Sequence, residues 1–220
     1  MHDIAQPKEQ DTQMSTRRGE QPPARRSGQQ NTQQDTQQDI HYVKTFPSPV
    51  GDLTFVSDGE HLTGLYLENQ RYFMENVVGE LKSPQSSRET FNLVIFSDTQ
   101  RWLKLYFEGK NPGMLPPIKM NGTPFRQRVW ELLLEIPYGE LVTYGELAAK
   151  LAAEKGVEKM SSRAVGGAVG HNPISILVPC HRVIGANNNL TGYGGGIDRK
   201  IQLLELEGVD VSGLKVPNPS

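Results

Sequence analysis

The sequence predicts an α+β fold in two parts: a small N-terminal α/β domain, then a largely helical domain built on a helix-turn-helix. Three observations predict it. Short β-branched and aliphatic runs separated by turn signals fill residues 41–67. A proline-rich stretch, 111–117, reads as a linker. Beyond it, two short capped helical segments are joined by a polar turn. On this reading 1–40 is a disordered tail, 41–118 the N-terminal domain with its linker, and 119–215 the C-terminal domain.

The tail is dominated by Gln, Ser, Thr, Pro and Arg and has almost nothing aliphatic to bury, so ordering it would not be repaid. Its arginine pairs, Arg17-Arg18 and Arg25-Arg26, are roughly cancelled by acids of the same tail. Strands are expected at 41–46, 52–57 and 62–67, with Pro-Val-Gly and Asp-Gly-Glu as the turns between them. A helix is expected over 98–108, where Trp102, Leu103, Leu105, Tyr106 and Phe107 give one bulky apolar side. Thr123-Pro124 combines an N-cap with proline at the first helical position, and Phe125, Val129, Leu132 and Leu133 follow at helical spacing. Pro137-Tyr138-Gly139 ends that helix.

Thr143-Tyr144-Gly145-Glu146 has the form of a capping box and opens a helix to about Glu154. Ser161 or Ser162 caps the next, Ser-Arg-Ala-Val-Gly-Gly-Ala-Val-Gly, which Asn172-Pro173 stops. Glycine inside a helix costs about 1 kcal/mol relative to alanine, yet this helix carries Gly166 and Gly167. Close packing on a neighbouring helix accounts for them, and so does entry into a confined space such as a DNA groove; the helix alone does not choose. Residues 172–179 form a nearly continuous apolar run, read as a short buried strand or extended segment. A final amphipathic helix is expected from Asp198 to about Glu207.

Composition narrows the function classes. One cysteine excludes a disulfide framework and fits a reducing compartment. No run approaches the ~18 apolar residues of a membrane helix, and the N-terminus lacks a signal-peptide core. The protein is therefore expected to be intracellular, with no membrane partner. The net charge of −2 speaks against a protein held to nucleic acid mainly by bulk electrostatics. Between 159 and 200, however, Lys159, Arg163, Arg182, Arg199 and Lys200 face a single acid, Asp198. If any part touches phosphate, this segment is expected to.

The apolar run delivers the chain to Cys180-His181-Arg182-Val183. A lone cysteine there is by default a small buried hydrophobe. A neighbouring base and a cation are also what shift a thiol toward thiolate. Thr191-Gly-Tyr193-Gly-Gly-Gly196 reads either as a surface turn or as a loop whose amides line a tight pocket; no Gly-Lys-Ser/Thr follows, which disfavours a nucleotide P-loop. Glu207, at a helix C-terminus, is unfavourable beside the helix dipole unless something uses it.

Pro179-Cys180-His181-Arg182-Val183, with Arg163-Ala-Val-Gly-Gly-Ala and Asn172-Pro before it and Tyr193-Gly-Gly-Gly and Glu207 after it, closely resembles the methylated-DNA-protein-cysteine methyltransferases, the O6-alkylguanine-DNA alkyltransferases. The resemblance is dense over about 120–208 and loose over 41–118. It implies a ribonuclease H-like N-terminal domain and a winged helix-turn-helix-like C-terminal one. It also implies direct-reversal repair: the Cys180 thiolate takes the alkyl group from O6-alkylguanine in double-stranded DNA, with O4-alkylthymine a further substrate, in a single-turnover reaction with base flipping.

The resemblance assigns His181 as the base acting through a water, Glu207 as its orienter and Asn172 as a brace of the active-site turn. Tyr144 presses on the phosphate 3′ to the lesion, Arg163 fills the hole left in the stack, and Ala164, Gly167 and Ala168 let the helix sit in the minor groove. Tyr193 and the amides of Gly194 and Gly195 line the base pocket. No cofactor and no metal are implied: the N-terminal part lacks the cysteine and histidine set of zinc-bearing relatives, and no second cysteine exists for phosphotriester repair. A monomer is expected, in the cytoplasm of a prokaryote or the nucleus of a eukaryote, with cooperativity on DNA left open.

Two departures stand out. Gly194 replaces a serine of some relatives, and the turn 155–160 is longer than in some. The rivals are alkyltransferase-like lesion-recognition proteins, which lack the acceptor that Cys180 supplies, a helix-turn-helix regulator, and a thiol hydrolase, which needs an oxyanion site.

Overall fold

A computed structural model describes residues 39–83 and 93–216. The predicted tail over 1–40 lies outside the described residues except at its end. There it is one residue too long, because Ile40 already belongs to the first strand.

Four strands form the N-terminal sheet: β1 (Ile40–Phe46), β2 (Leu53–Ser57), β3 (Leu62–Leu67) and β4 (Glu80–Lys82), in the order β3-β2-β1-β4. β1 and β3 pair antiparallel with β2, and β4 runs parallel to β1. β4 carries no alternating apolar pattern, which is why the sequence did not predict it. Helix α1 (Val94–Phe107) covers the sheet, and Phe96 meets Phe46 and Phe55 with ring centroids 6.4 and 6.0 Å apart. α1 begins four residues before the predicted Asp98. Ile95 and Phe96 are buried and extend the apolar stripe by a turn, and no side chain caps the helix to mark its start.

The C-terminal part follows the predicted caps. α2 (Pro124–Leu134) starts on Thr123, whose hydroxyl accepts from the Arg126 amide. After β5 (Val142–Thr143), helix α3 (Tyr144–Glu154) opens with the predicted capping box, both of its bonds formed. α4 (Ser162–Gly170) is capped by Ser161; a Cβ on Gly166 would only touch the Tyr144 ring at 3.7 Å and one on Gly167 would meet nothing within 4 Å, so packing inside the protein does not require either glycine. On the buried face of α4, which carries Val165, Ala168 and Val169, the Trp130 indole of α2 donates to the Ala168 carbonyl at 2.8 Å. β6 (Val183–Ile184) pairs with β5 in parallel, and α5 (Ile197–Leu206) ends on Glu207 at its C-cap.

Residues 172–179 are not a strand. The run is buried, as expected, but it turns: Ile176 has φ +71°, and the Leu177 amide donates to the Ser175 carbonyl at 2.8 Å. Only its start is extended, where it covers the open edge of β3. The Leu65 amide donates to Pro173 and the Ser175 amide to Leu65. Unpaired edge groups are thereby satisfied, at roughly 1 kcal/mol net per bond, and the segment entering Cys180 is fixed to the N-terminal sheet.

Candidate active site

Cys180 opens a short 3-10 turn, Cys180–Arg182, reached from the constrained bend at 176–179. It is 8% exposed, and His181 beside it is fully buried. Asn172, at the other end of the bend, splits one side-chain nitrogen between the two ends. Nδ2 donates to the Val178 carbonyl at 2.8 Å and to Cys180 Sγ at 3.1 Å, while Oδ1 accepts from the Ile174 amide at 3.0 Å. Burial pushes the Cys180 thiol up. The Asn172 bond, the charge of Lys200 and the amides of Cys180 and His181 pull it back.

His181 turns its Nε2–H to Glu207 Oε1 at 2.7 Å, an assignment that follows from the carboxylate having no proton to give. Nδ1 is then the lone-pair nitrogen, and it has no partner among the described residues. Burial lowers the His181 pKa, against the opposing pull of Glu207, so the ring rests neutral.

Glu207 is the most heavily bonded carboxylate of the site. Oε1 accepts from His181, from the Tyr106 hydroxyl at 2.8 Å and from Arg182 at 3.0 Å; Oε2 accepts from Arg182 Nε at 2.8 Å and from the Gly139 amide at 3.0 Å. Burial alone would raise its pKa, but the bonds from His181 and Arg182 outweigh it and hold the carboxyl at about 2. A carboxylate this acidic steadies an imidazolium without taking its proton.

Three groups at this site were missed by sequence reasoning. Tyr106, predicted only as part of an apolar helix side, is wholly buried in α1 and reaches both Glu207 and His181 Nε2, the latter at 3.3 Å. Burial and the Glu207 charge keep it protonated and therefore a donor. Arg182 and Lys200, counted among candidate phosphate contacts, point inward. Arg182 serves Glu207 and the Ile136 carbonyl; Lys200 Nζ donates to the Val183 carbonyl at 2.5 Å and is pushed down to about 8, chiefly by burial. Arg199 binds the Val50 and Glu68 carbonyls. Of the five cations in that segment, only Lys159 and Arg163 make no internal bond among the described residues. Periodicity identifies a buried face; it carries no signal for a hydroxyl or ammonium group at the end of a long side chain.

Tyr106→Phe removes a buried donor to a charged acceptor. It is expected to lower the unfolding free energy by about 2 kcal/mol, checked by urea titration.

Cys180 lines an inner recess, and a larger outer groove shares Gly170 and Gly192–Gly194 with that recess. The inner recess is lined by Cys180, Asn172, Gln70 and the loop Gly192–Gly195 that includes Tyr193. Its volume is about 10 Å³, room for about one water, so a purine enters only if that loop moves. The outer groove is about 1070 Å³, with Tyr144, Arg163, Gly166 and Gly167 on its walls. The Tyr144 hydroxyl donates to the Gly192 carbonyl at 3.1 Å, tying the start of α3 to the recess loop. Ala164 is exposed on α4 outside the groove lining. Ala168 corrects the prediction: it shares the buried face with Val165 and Val169, packs toward Trp130, and is not available to a groove.

Among the described residues, no cluster of three or more His, Cys, Asp or Glu could hold a metal. No helix there is long and apolar enough to cross a membrane.

Known proteins resemble this chain over most of its length. Residues 41–113 match the family described as 6-O-methylguanine DNA methyltransferase, ribonuclease-like domain, and residues 124–209 its DNA binding domain. The methylated-DNA–protein-cysteine methyltransferase of Mycobacterium tuberculosis is 46% identical over 168 residues, 76% of this chain and 92% of that protein. The chain belongs to the methylated-DNA–protein-cysteine methyltransferase family. A second member, from Haemophilus influenzae, is 42% identical over 167 residues, covering 76% and 86% of the two chains. The crystal structure of the M. tuberculosis family member OGT in complex with DNA superposes with a TM-score of 0.62 at 42% identity, over 76% of this chain and 92% of that one.

Proposed function

We propose that this chain repairs double-stranded DNA by taking the alkyl group from O6-alkylguanine onto Cys180, once per molecule. The observation that carries the reading is the buried cluster itself: a bonded thiol, a neutral imidazole with a free lone pair, and a carboxylate held ionised behind it, all beneath a cationic groove. In this reading the part from 119 to 215 grips DNA and does the chemistry, and 41–118 supports it.

The flipped nucleotide displaces the loop 192–195 and enters against Tyr193. Cys180 Sγ is bonded to Asn172 and not to the imidazole, so its proton passes to His181 Nδ1 through one intervening water. The imidazolium is stabilised by Glu207, which stays a carboxylate. The thiolate attacks the alkyl carbon: an S–C bond forms, the C–O6 bond breaks, and the pair of electrons leaves with the guanine. The departing base takes up a proton equal to the one that the thiol lost. Thiol and O6-alkylguanine thus become thioether and guanine with no cofactor, oxidant or net proton exchange. The thioether has no path back, so the protein is consumed. It acts as a monomer inside the cell, where a single thiol stays reduced.

Incubation with excess O6-methylguanine duplex tests the reading. Repair stops at one lesion per protein, with no slow continuing phase; sustained turnover contradicts it.

Arg163 is the wedge. Extruding a base costs a few kcal/mol, so Arg163→Ala slows transfer from duplex DNA by roughly 10- to 100-fold. Reaction with free O6-benzylguanine, which needs no flipping, stays within about twofold. Equal losses on the two substrates contradict the wedge role.

A further inference from the structure

The outer groove has a wall from outside the segment matched as the DNA binding domain. Arg71 and Tyr72, from the turn that follows β3, line it beside the C-terminal end of α4. We propose that this turn is part of the DNA interface and that Arg71 binds a backbone phosphate beside the lesion. The proposal rests on the reading of the groove as the DNA site and adds to it a contact from the ribonuclease-like half.

The turn is fixed to the site at three places. Gln70 is buried, and its Oε1 accepts from the Leu67 amide at 3.1 Å and from the Ser175 hydroxyl at 2.7 Å, which anchors it to the segment leading to Cys180. The Arg71 amide donates to the Gly194 carbonyl at 2.9 Å, holding the turn against the recess loop. Tyr72 stacks on His171 at the C-terminus of α4, with ring centroids 3.8 Å apart and planes at 16°; the His171 Nδ1 in turn bonds the Gly167 carbonyl at 2.7 Å. The backbone is bent to allow this, with Asn69, Tyr72 and Met74 at φ +58°, +62° and +54°. Left-handed conformations at a tyrosine and a methionine cost of order 1 kcal/mol or more each, and the three anchors offset that.

What the anchors deliver to the groove is a guanidinium. Among the described contacts the Arg71 side chain faces no carboxylate; its neighbour is the Tyr72 ring, 4.8 Å away. The groove lining includes two arginines, Arg71 and Arg163, and no acidic residue, in a chain whose net charge is −2. Segregation of this kind concentrates positive potential where the polyanion lies. Arg163 is needed in the base stack, which leaves Arg71 as the groove's other cation for phosphate. Arginine's planar fork suits a phosphate better than lysine's point charge.

The test compares wild type, Arg71→Ala and Arg71→Lys with full-length protein. Binding to an O6-methylguanine duplex is measured across a salt series, and the rate of reaction with free O6-benzylguanine is measured in parallel. Arg101→Ala, which removes an exposed arginine on α1 outside the groove, controls for net charge. Loss of one phosphate contact weakens duplex binding about fivefold at physiological salt and lowers the salt slope by about 1. Arg71→Lys recovers part of the affinity and the full slope, Arg101→Ala changes neither, and the free-base rate is unaltered throughout. Unchanged affinity and slope in Arg71→Ala overturn the proposal while leaving the alkyl-transfer reading intact. A proportional loss of the free-base rate also overturns it, since the arginine would then be supporting the recess. A wild-type protein that accepts no methyl group would remove the reading on which the proposal rests.

Discussion

Cys180→Ala is expected to take up no alkyl group from O6-methylguanine DNA while binding that DNA within about twofold of the parent. The substitution removes only Sγ from a nearly closed recess, and the groove walls do not depend on it. Asn172 retains its bonds to the Val178 carbonyl and the Ile174 amide, so the bend at 176–179 keeps its shape. The lost sulfur contacts cost about 1 kcal/mol, too little to unfold the domain. Transfer is read by loss of labelled methyl from DNA and binding by titration. Residual transfer would place the acceptor elsewhere, and lost binding would mean that the turn had collapsed.

The second large effect is at Glu207. Glu207→Gln keeps the shape but withdraws the charge that Arg182 and His181 face in the interior, and breaking one side of a buried pair costs about 3–5 kcal/mol. The same change leaves the imidazolium without its counter-ion, so transfer slows by at least about 100-fold. The carboxyl also leaves a signature in acid. Its pKa is depressed in the folded state to about 2 from 4.5. Its stabilisation is therefore fully present above pH 4.5 and is lost as the pH falls toward 2, about 3 kcal/mol in all. The difference in stability between wild type and Glu207→Gln should narrow steadily over that window. A constant difference would mean that the pairing with His181 and Arg182 adds nothing in solution.

Much of this was legible in the residues because local chemistry determined it. The capping box at Thr143 and Glu146, the Thr123-Pro124 start and the stop at Asn172-Pro173 are satisfied by neighbours in the chain, so they read correctly without tertiary context. The features that failed to read depend on distant partners. Residues 172–179 have the composition of a strand, yet only the end touching Leu65 pairs, because the Asn172 side chain draws the remainder into a turn. β4 exists because β1 offers it an edge.

At the site, Cys180, His181, Asn172 and Glu207 were found through a motif, and the structure brings all four together. Tyr106 stands 101 positions before Glu207 in sequence and was hidden among apolar neighbours. The cations between 159 and 200 suggested a phosphate-binding strip, but charge along a sequence does not reveal direction. Arg182 and Lys200 face inward to steady Glu207 and the Cys180 surroundings. Arg71, from the other half of the chain, faces the groove.

In the proposed reaction one particular sulfur, that of Cys180, is consumed. Intact-protein mass spectrometry after incubation with O6-methylguanine duplex, followed by peptide mapping, tests it most directly. The expected result is a gain of one methyl in place of one hydrogen, on every active molecule, confined to the peptide that contains Cys180, with unmodified guanine left in the DNA. No gain in mass, or a methyl group on any other residue, would contradict it.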